Sequence, residues 1–353
     1  MTTDRLLSMM SIMTENTPFL FSKSLCARLA QGPVYCLGRA GMDLYPEPAG
    51  IITEQAEQFS ADMGGSAGNI AVALSRQGGR AALLTVFSDD QVGRFVLRKC
   101  EAYGVDTNSC RTQPGIWRNS LAIAETKPTD AAVVIYRNQA ADLQLSCDDV
   151  ASVDFTVAGG LVITGTALSG EPSASAVSAA ISAAKQAGCP VIFDIDYRAN
   201  AWETAKDAAR RLTPELAQAD IVVGNDDEFA VLCDGDKDKG LSVARDFAAS
   251  GQLALYKMGE KGCRTIYNDR EIQTGIFPVT LAKPFGAGDA FLGNVLASLG
   301  RDPDIRAAVI QSSAAAAFVV ARPGCASAMP DTPQLNQFMA QNQMRPFDGQ
   351  TRG

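Results

Sequence analysis

The chain has 353 residues, 46% of them hydrophobic and 20% charged, enough for one large domain or two ordinary ones with a sizeable core. Its formal net charge is -8, from 31 Lys plus Arg against 39 Asp plus Glu, which argues against a broad phosphate-backbone surface and so against nucleic acid as a partner. It contains no histidine, which excludes Ser-His-Asp, Cys-His and His-ligated metal chemistry. Acid–base work is left to carboxylates, lysines, cysteines or tyrosines.

In chain order, residues 1–31 show no signal-peptide layout and read as an added helix or a loose tail. The apolar run at 34–37, closed by Gly38, predicts a buried strand. Residues 51–63 read as irregular or strand-like, 70–76 as a helix closed by Gly78-Gly79, 81–87 as a strand and 92–103 as a helix. Strand, helix, strand, helix implies parallel βαβ units. Alternating polar and apolar residues at 120–126 and 131–136 predict a hairpin that projects from the sheet as a lid.

The alternation then resumes, with strands at 161–164, 191–195, 220–223 and 253–258 and helices at 174–187 and 203–211. Edge strands follow at 265–267 and 271–279, then helices at 289–299 and 305–320, and a polar, frayed tail after Met339. No linker separates two domains. The expectation is an α/β, doubly wound, mostly parallel sheet flanked by helices, with a small β lid at about 43–63 and 117–137. The domain would span 32–334, leaving an extension at 1–31 and a tail at 335–353. No run approaches 18 apolar residues, and the nine cysteines form no CxxC pair, so the chain reads as a cytoplasmic protein with reduced thiols and no membrane partner.

The most informative segment is Gly286-Ala287-Gly288-Asp289, between an extended run and an apolar helix. Its amides would concentrate positive potential at a helix start, where a transferring phosphoryl group needs it, and Asp289 could take a proton from an attacking hydroxyl. The plain structural alternative is a turn with Asp289 as N-cap. There is no GxxxxGK[ST] and no dinucleotide-binding GxGxxG.

Gly64-Gly65 with Asn69 opens a helix at which backbone can approach a ligand, and Asp43 could accept hydrogen bonds from sugar hydroxyls or simply form a turn. Asn225-Asp226-Asp227-Glu228 follows a strand end, where hydrated magnesium and phosphate gather, or is an acidic helix start. Arg137, beside Tyr136, and Arg198 lie at strand ends and could grip a carboxylate with two hydrogen bonds, or form surface salt bridges.

Gly64-Gly65 with Asn69, Asn225-x-x-Glu228, Lys257-x-Gly259-x-x-Gly262 and Gly286-Ala287-Gly288-Asp289, in this order, resemble the ribokinase-like (PfkB) family of carbohydrate kinases from about Val34 to Pro330. The resemblance implies ATP-dependent phosphorylation of a sugar hydroxyl with magnesium and often a monovalent cation. It makes Asp289 the base and Gly286, Ala287 and Gly288 the anion hole. Asn225 and Glu228 would organise magnesium and phosphate through water, while Lys257, Gly259 and Gly262 would hold the nucleotide. Asp43, Gly64, Gly65, Asn69, Tyr136, Arg137 and Arg198 would hold the sugar.

Gly38-Arg39-Ala40-x-x-Asp43-Leu44-Tyr45, Asp194-Ile195-Asp196-Tyr197-Arg198 with Trp202, and Gly324-Cys325 before Met329-Pro330 are similar to members that phosphorylate a primary hydroxyl of a keto-deoxy sugar acid of the 5-dehydro-2-deoxygluconate type. Kinases of 2-keto-3-deoxygluconate, fructose or ribose, or a sugar-binding regulatory protein without turnover, are the alternatives. Many members carry an acidic residue and threonines before the Gly-Ala-Gly turn; here Lys283-Pro284-Phe285 stands there, leaving potassium dependence open with the Lys283 ammonium as a candidate replacement. The resemblance also implies a homodimer paired through the lid.

Overall fold

A computed structural model describes residues 18–347. The chain enters through helix α1 (Lys23–Gln31) and strand β1 (Val34–Leu37), then β2 (Gly41–Glu47), β3 (Gln58–Gly64), helix α2 (Ser66–Arg76), β4 (Ala81–Leu84), β5 (Val86–Ser88) and helix α3 (Gln91–Ala102). Strands β6 (Arg111–Gln113), β7 (Leu121–Ala124) and β8 (Val133–Tyr136) lead to the short helix α4 (Cys147–Ala151). Next come β9 (Gly160–Thr164), α5 (Ser173–Gln186), β10 (Val191–Asp194), α6 (Ala205–Leu216), β11 (Ile221–Asn225), α7 (Asp226–Val231), α8 (Lys237–Ala249) and β12 (Leu253–Lys257). The chain closes with β13 (Cys263–Tyr267), β14 (Arg270–Thr274), α9 (Ala287–Leu299), α10 (Ile305–Val320) and α11 (Thr332–Gln341).

The strands of the main sheet are short and apolar because helices cover both faces. Their order is β14-β13-β12-β11-β10-β9-β1-β4, parallel except for the antiparallel β13 and β14. One apolar core, with Ile70, Leu292 and Val295, fills the face under α2 and α9; a second, with Phe193, Ile181 and Leu212, fills the face under α5 and α6. After β4 the chain crosses to the other side of β1, so β1 and β9 are the switch point outside whose carboxyl ends a doubly wound sheet forms its crevice. The lid is a four-stranded sheet, β3-β2-β7-β8, with Ala122 opposite Ile135 in the expected hairpin.

Several expectations change. Residues 41–47 form strand β2, which begins before the expected lid boundary at 43 and which the polar Asp43 and Pro46 obscure in the sequence. The run 81–87 divides at Thr85: β4 pairs with β1, while β5 pairs with β6 in a separate ribbon. Residues 18–31 are docked on the domain, since Phe19 and Phe21 are buried and Phe21 meets the Tyr267 ring at 5.1 Å. The rest of the extension lies outside the described residues. At the other end, α11 runs to Gln341 and Arg345 exchanges backbone hydrogen bonds with Ile276, so the segment after Met339 is tied down as far as 347. All nine cysteines are unpaired, and among the described residues no helix is long and apolar enough to cross a membrane.

Candidate active site

The switch point holds a cavity lined by Arg39 from the end of β1, Thr166 and Ser169 after β9, Asp196 and Arg198 after β10, and Arg137 after β8. Three guanidinium groups therefore meet in one crevice of an acidic protein. Arg137 is anchored: it donates to the Thr166 carbonyl at 3.2 Å and Ser169 Oγ at 3.1 Å, and it pairs with the buried Asp142. Only its Nε is without a partner. Arg198 pairs with Asp196 at 2.9 Å but leaves half of its side chain exposed, and Arg39 contacts Ser120 Oγ at 3.1 Å. These two are freer to turn toward a ligand.

Tyr136 does not join them. Ile135 and Arg137 line the cavity, and the period-2 alternation of a strand sends the intervening Tyr136 to the other face of the lid, where it is 55% exposed. The expectation that it contacts substrate is corrected on that ground.

Asp43, Gly64, Gly65 and Asn69 do come together. Gly41 pairs with Gly64 across β2 and β3, and a Cβ on Gly64 would lie 2.0 Å from the Asp43 carboxylate, so the glycine makes the room that Asp43 occupies. Gly65 opens α2, which carries Asn69. Asp43 accepts from the Tyr45 hydroxyl at 3.1 Å; burial pushes its pKa up, against Arg39 and that hydrogen bond. Asp43 Oδ1 and Asn69 Oδ1 are buried with no hydrogen-bond partner in the protein. Such an atom costs about 1–3 kcal/mol unless a ligand or water donates to it.

Asn69 also links this corner to the anion-hole turn, because its Nδ2 donates to Asp289 Oδ2 at 2.8 Å. Gly286 (φ +82°) is the N-cap of α9, so Asp289 sits in the first helical turn and is not the cap. No side chain caps this helix, and the first backbone bond within it runs from Ala290 N–H to the Gly286 carbonyl. The amides of Ala287, Gly288 and Asp289 are thus the exposed donors of a helix start. Burial, and then the charge of Asp196, push the Asp289 carboxyl up to about 6, against the Asn69 hydrogen bond, Arg198 and Lys257.

Lys257, expected to hold nucleotide, reaches this same turn: its Nζ is 3.8 Å from Asp194 Oδ1 and would lie 3.1 Å from a Cβ on Gly288. Burial raises the Asp194 carboxyl, with the Lys257 ammonium opposing. Gly259 and Gly262 bound the turn between β12 and β13, where a Cβ on Gly262 would lie 2.0 Å from the Thr274 carbonyl. Close packing of β14 therefore accounts for Gly262 without a nucleotide. Asn225 and Glu228 form a capping box: Glu228 N–H donates to Asn225 Oδ1 at 2.8 Å, and Asn225 N–H to Glu228 Oε2 at 2.7 Å. That leaves Glu228 Oε1 and the Asn225 amide nitrogen for a ligand.

Sequence reasoning passed over Arg39, Asp194 and Asp196 as site residues. The Asp-x-Asp that begins at the end of β10 was the available signal, since ligands gather outside the carboxyl ends of parallel strands.

An uncapped helix start facing a buried carboxylate is an arrangement for moving an anionic group onto a hydroxyl, which places the molecule among the phosphotransferases. The model of the pfkB family of carbohydrate kinases matches residues 33–332, and the chain belongs to that family. It is 37% identical to the 5-dehydro-2-deoxygluconokinase of Photobacterium profundum over 308 residues, covering 86% of this chain and 93% of that one. It is 32% identical to the enzyme of the same name from Geobacillus kaustophilus, over 87% of this chain and 93% of that one. A fructokinase from Xylella fastidiosa, solved with bound ATP, has the same ribokinase-like fold, with a TM-score of 0.76, 23% identity, and coverage of 88% of this chain and 99% of that one.

Proposed function

We propose that the protein transfers the γ-phosphoryl group of ATP to the primary hydroxyl of 5-dehydro-2-deoxygluconate in the cytoplasm, a step of inositol catabolism. The curated relatives' names support the substrate. The single observation that carries the mechanism is the Asn69–Asp289 hydrogen bond beside the uncapped start of α9.

Asp289 Oδ takes the proton of the attacking hydroxyl, and Asn69 holds the carboxylate in place. The amides of Ala287, Gly288 and Asp289 and the Lys257 ammonium meet the charge of the transferring group. Asp43 Oδ1 and Asn69 Oδ1 accept from sugar hydroxyls, while Arg39, Arg198 and Arg137 Nε meet the sugar carboxylate.

Magnesium, when bound, neutralises phosphate charge. Glu228 and Asn225 suit an ion held through water, which is how magnesium is commonly kept. Among the described residues no group of three or more Asp, Glu, Cys or His side chains is placed to hold a metal directly. A coupled ADP-release assay is expected to show turnover with this acid and ATP. Absence of ADP release above background would overturn the reading.

The lid is proposed to pair two copies of the chain. Its edge strands β3 and β8 expose Phe59, Val133, Val134 and Tyr136, and an exposed edge invites pairing. Light scattering at micromolar concentration is expected to give the dimer mass; a monomer would contradict it.

A further inference from the structure

Lys283 is completely buried. Among the described residues, no carboxylate lies within ion-pair distance of its ammonium. Its one hydrogen bond runs to the carbonyl of Phe285, at 2.6 Å, immediately before the Gly286 turn. An ion buried without a charged partner is expensive, and sequences keep such a group where it acts.

The surroundings show what it acts on. The amides of Ala282 and Lys283 both donate to the Val320 carbonyl, at 2.8 and 3.2 Å, so the segment is fastened to the C-terminal end of α10. That end carries negative potential and tolerates a cation. Cys325 and Val319 pack against Gly286 from the same side, each 3.2 Å from where a Cβ would stand. The ammonium therefore sits beneath the anion-hole turn, between the negative end of α10 and the positive start of α9. Placing a second positive charge there is unfavourable for an empty helix start and favourable once an anion occupies it.

We propose that Lys283 is a tethered cation that holds the Phe285 carbonyl and the Gly286 turn in their anion-binding form and makes the enzyme independent of free monovalent cations. A lysine ammonium and a potassium ion present the same single charge to a carbonyl oxygen. With the carbonyl already taken by Nζ, the residues in the stretch before the turn do not fit an added monovalent ion. Burial lowers the pKa of Lys283, and Cys325, Asp289 and Asp43 oppose that shift only in part. Lys283 is a positioning residue: it acts on the transferring group through the turn.

The inference rests on the phosphotransferase reading, and the test separates the two. Turnover and melting temperature are measured for the wild type and for Lys283→Ala in potassium, ammonium and tetramethylammonium chloride at equal ionic strength. The wild type is expected to change less than about twofold among the salts, and Lys283→Ala to lose about 100-fold in kcat. Potassium or ammonium, small enough to enter the space left, should restore at least about tenfold and raise the variant's melting temperature, whereas tetramethylammonium should do neither.

A wild type that loses about tenfold or more without potassium overturns the proposal. So does a folded Lys283→Ala with undiminished kcat, or one that no small cation improves. Where Lys283→Ala does not fold, Lys283→Met keeps the stem and removes the charge. It should show the kcat loss without rescue, and normal kcat in that variant also overturns the proposal. If the wild type turns over no sugar acid, the kinase reading fails, and the melting temperatures of wild type and variant alone decide on Lys283.

Discussion

Asp289→Asn is expected to lower kcat about 1000-fold, since general-base catalysis contributes about 100- to 10,000-fold. The change is nearly isosteric, and the amide oxygen can still accept from Asn69 Nδ2, which stands 2.8 Å from Oδ2. Circular dichroism and the melting temperature should therefore stay close to those of the wild type. The pH profile makes the prediction specific. A base works deprotonated, and burial holds the Asp289 carboxyl up at about 6, so wild-type kcat should fall as the pH drops through about 6. The residual activity of Asp289→Asn should lack that limb. The chain has no histidine, so imidazole cannot supply it. Near-normal turnover, or an unchanged acid limb in the variant, would show that the base is another group.

The second large effect separates two arginines that look alike in sequence. Arg137→Ala is expected to destabilise the protein by roughly 3 kcal/mol, because it leaves Asp142 buried without its partner. It also removes the two hydrogen bonds that fasten the end of β8 to Thr166 and Ser169. Urea denaturation should register the loss, and Arg137→Ala with Asp142→Ala should recover part of it. Arg198, half exposed, should behave differently: Arg198→Ala should leave the urea midpoint nearly unchanged and raise KM for the sugar acid about 10- to 100-fold. Equal destabilisation by both changes would mean that neither arginine is distinguished by its setting.

The sheet strands were legible because each is a short apolar run between glycine or polar residues, and parallel strands buried on both faces leave that mark. Strand β2 was legible only as part of the expected lid, because its buried side carries the polar Asp43, so its pattern inverts the usual one. The four motifs, three of them glycine-bearing, marked the site, but their chemistry was unevenly readable. Asn69 and Asp289 are 220 positions apart, and only the packing of α2 on α9 shows that they are bonded. Lys257 read as a nucleotide contact, and only its place in β12 shows that it lies beside Gly288 and Asp194. Tyr136 was misplaced although alternation could have assigned it: a strand that sends Arg137 inward sends Tyr136 out. Arg39 and Asp196 stood inside quoted motifs without a role assigned to them, and the switch-point topology is what brings them to the cavity.

The central claim is that this crevice phosphorylates an acidic sugar, and kcat/KM for acid and neutral substrates tests it most directly. With ATP and magnesium, kcat/KM for 5-dehydro-2-deoxygluconate is expected to exceed that for fructose and ribose by at least about 100-fold, the discrimination that a hydrogen-bonded carboxylate provides. Equal or greater kcat/KM for either neutral sugar would contradict the account.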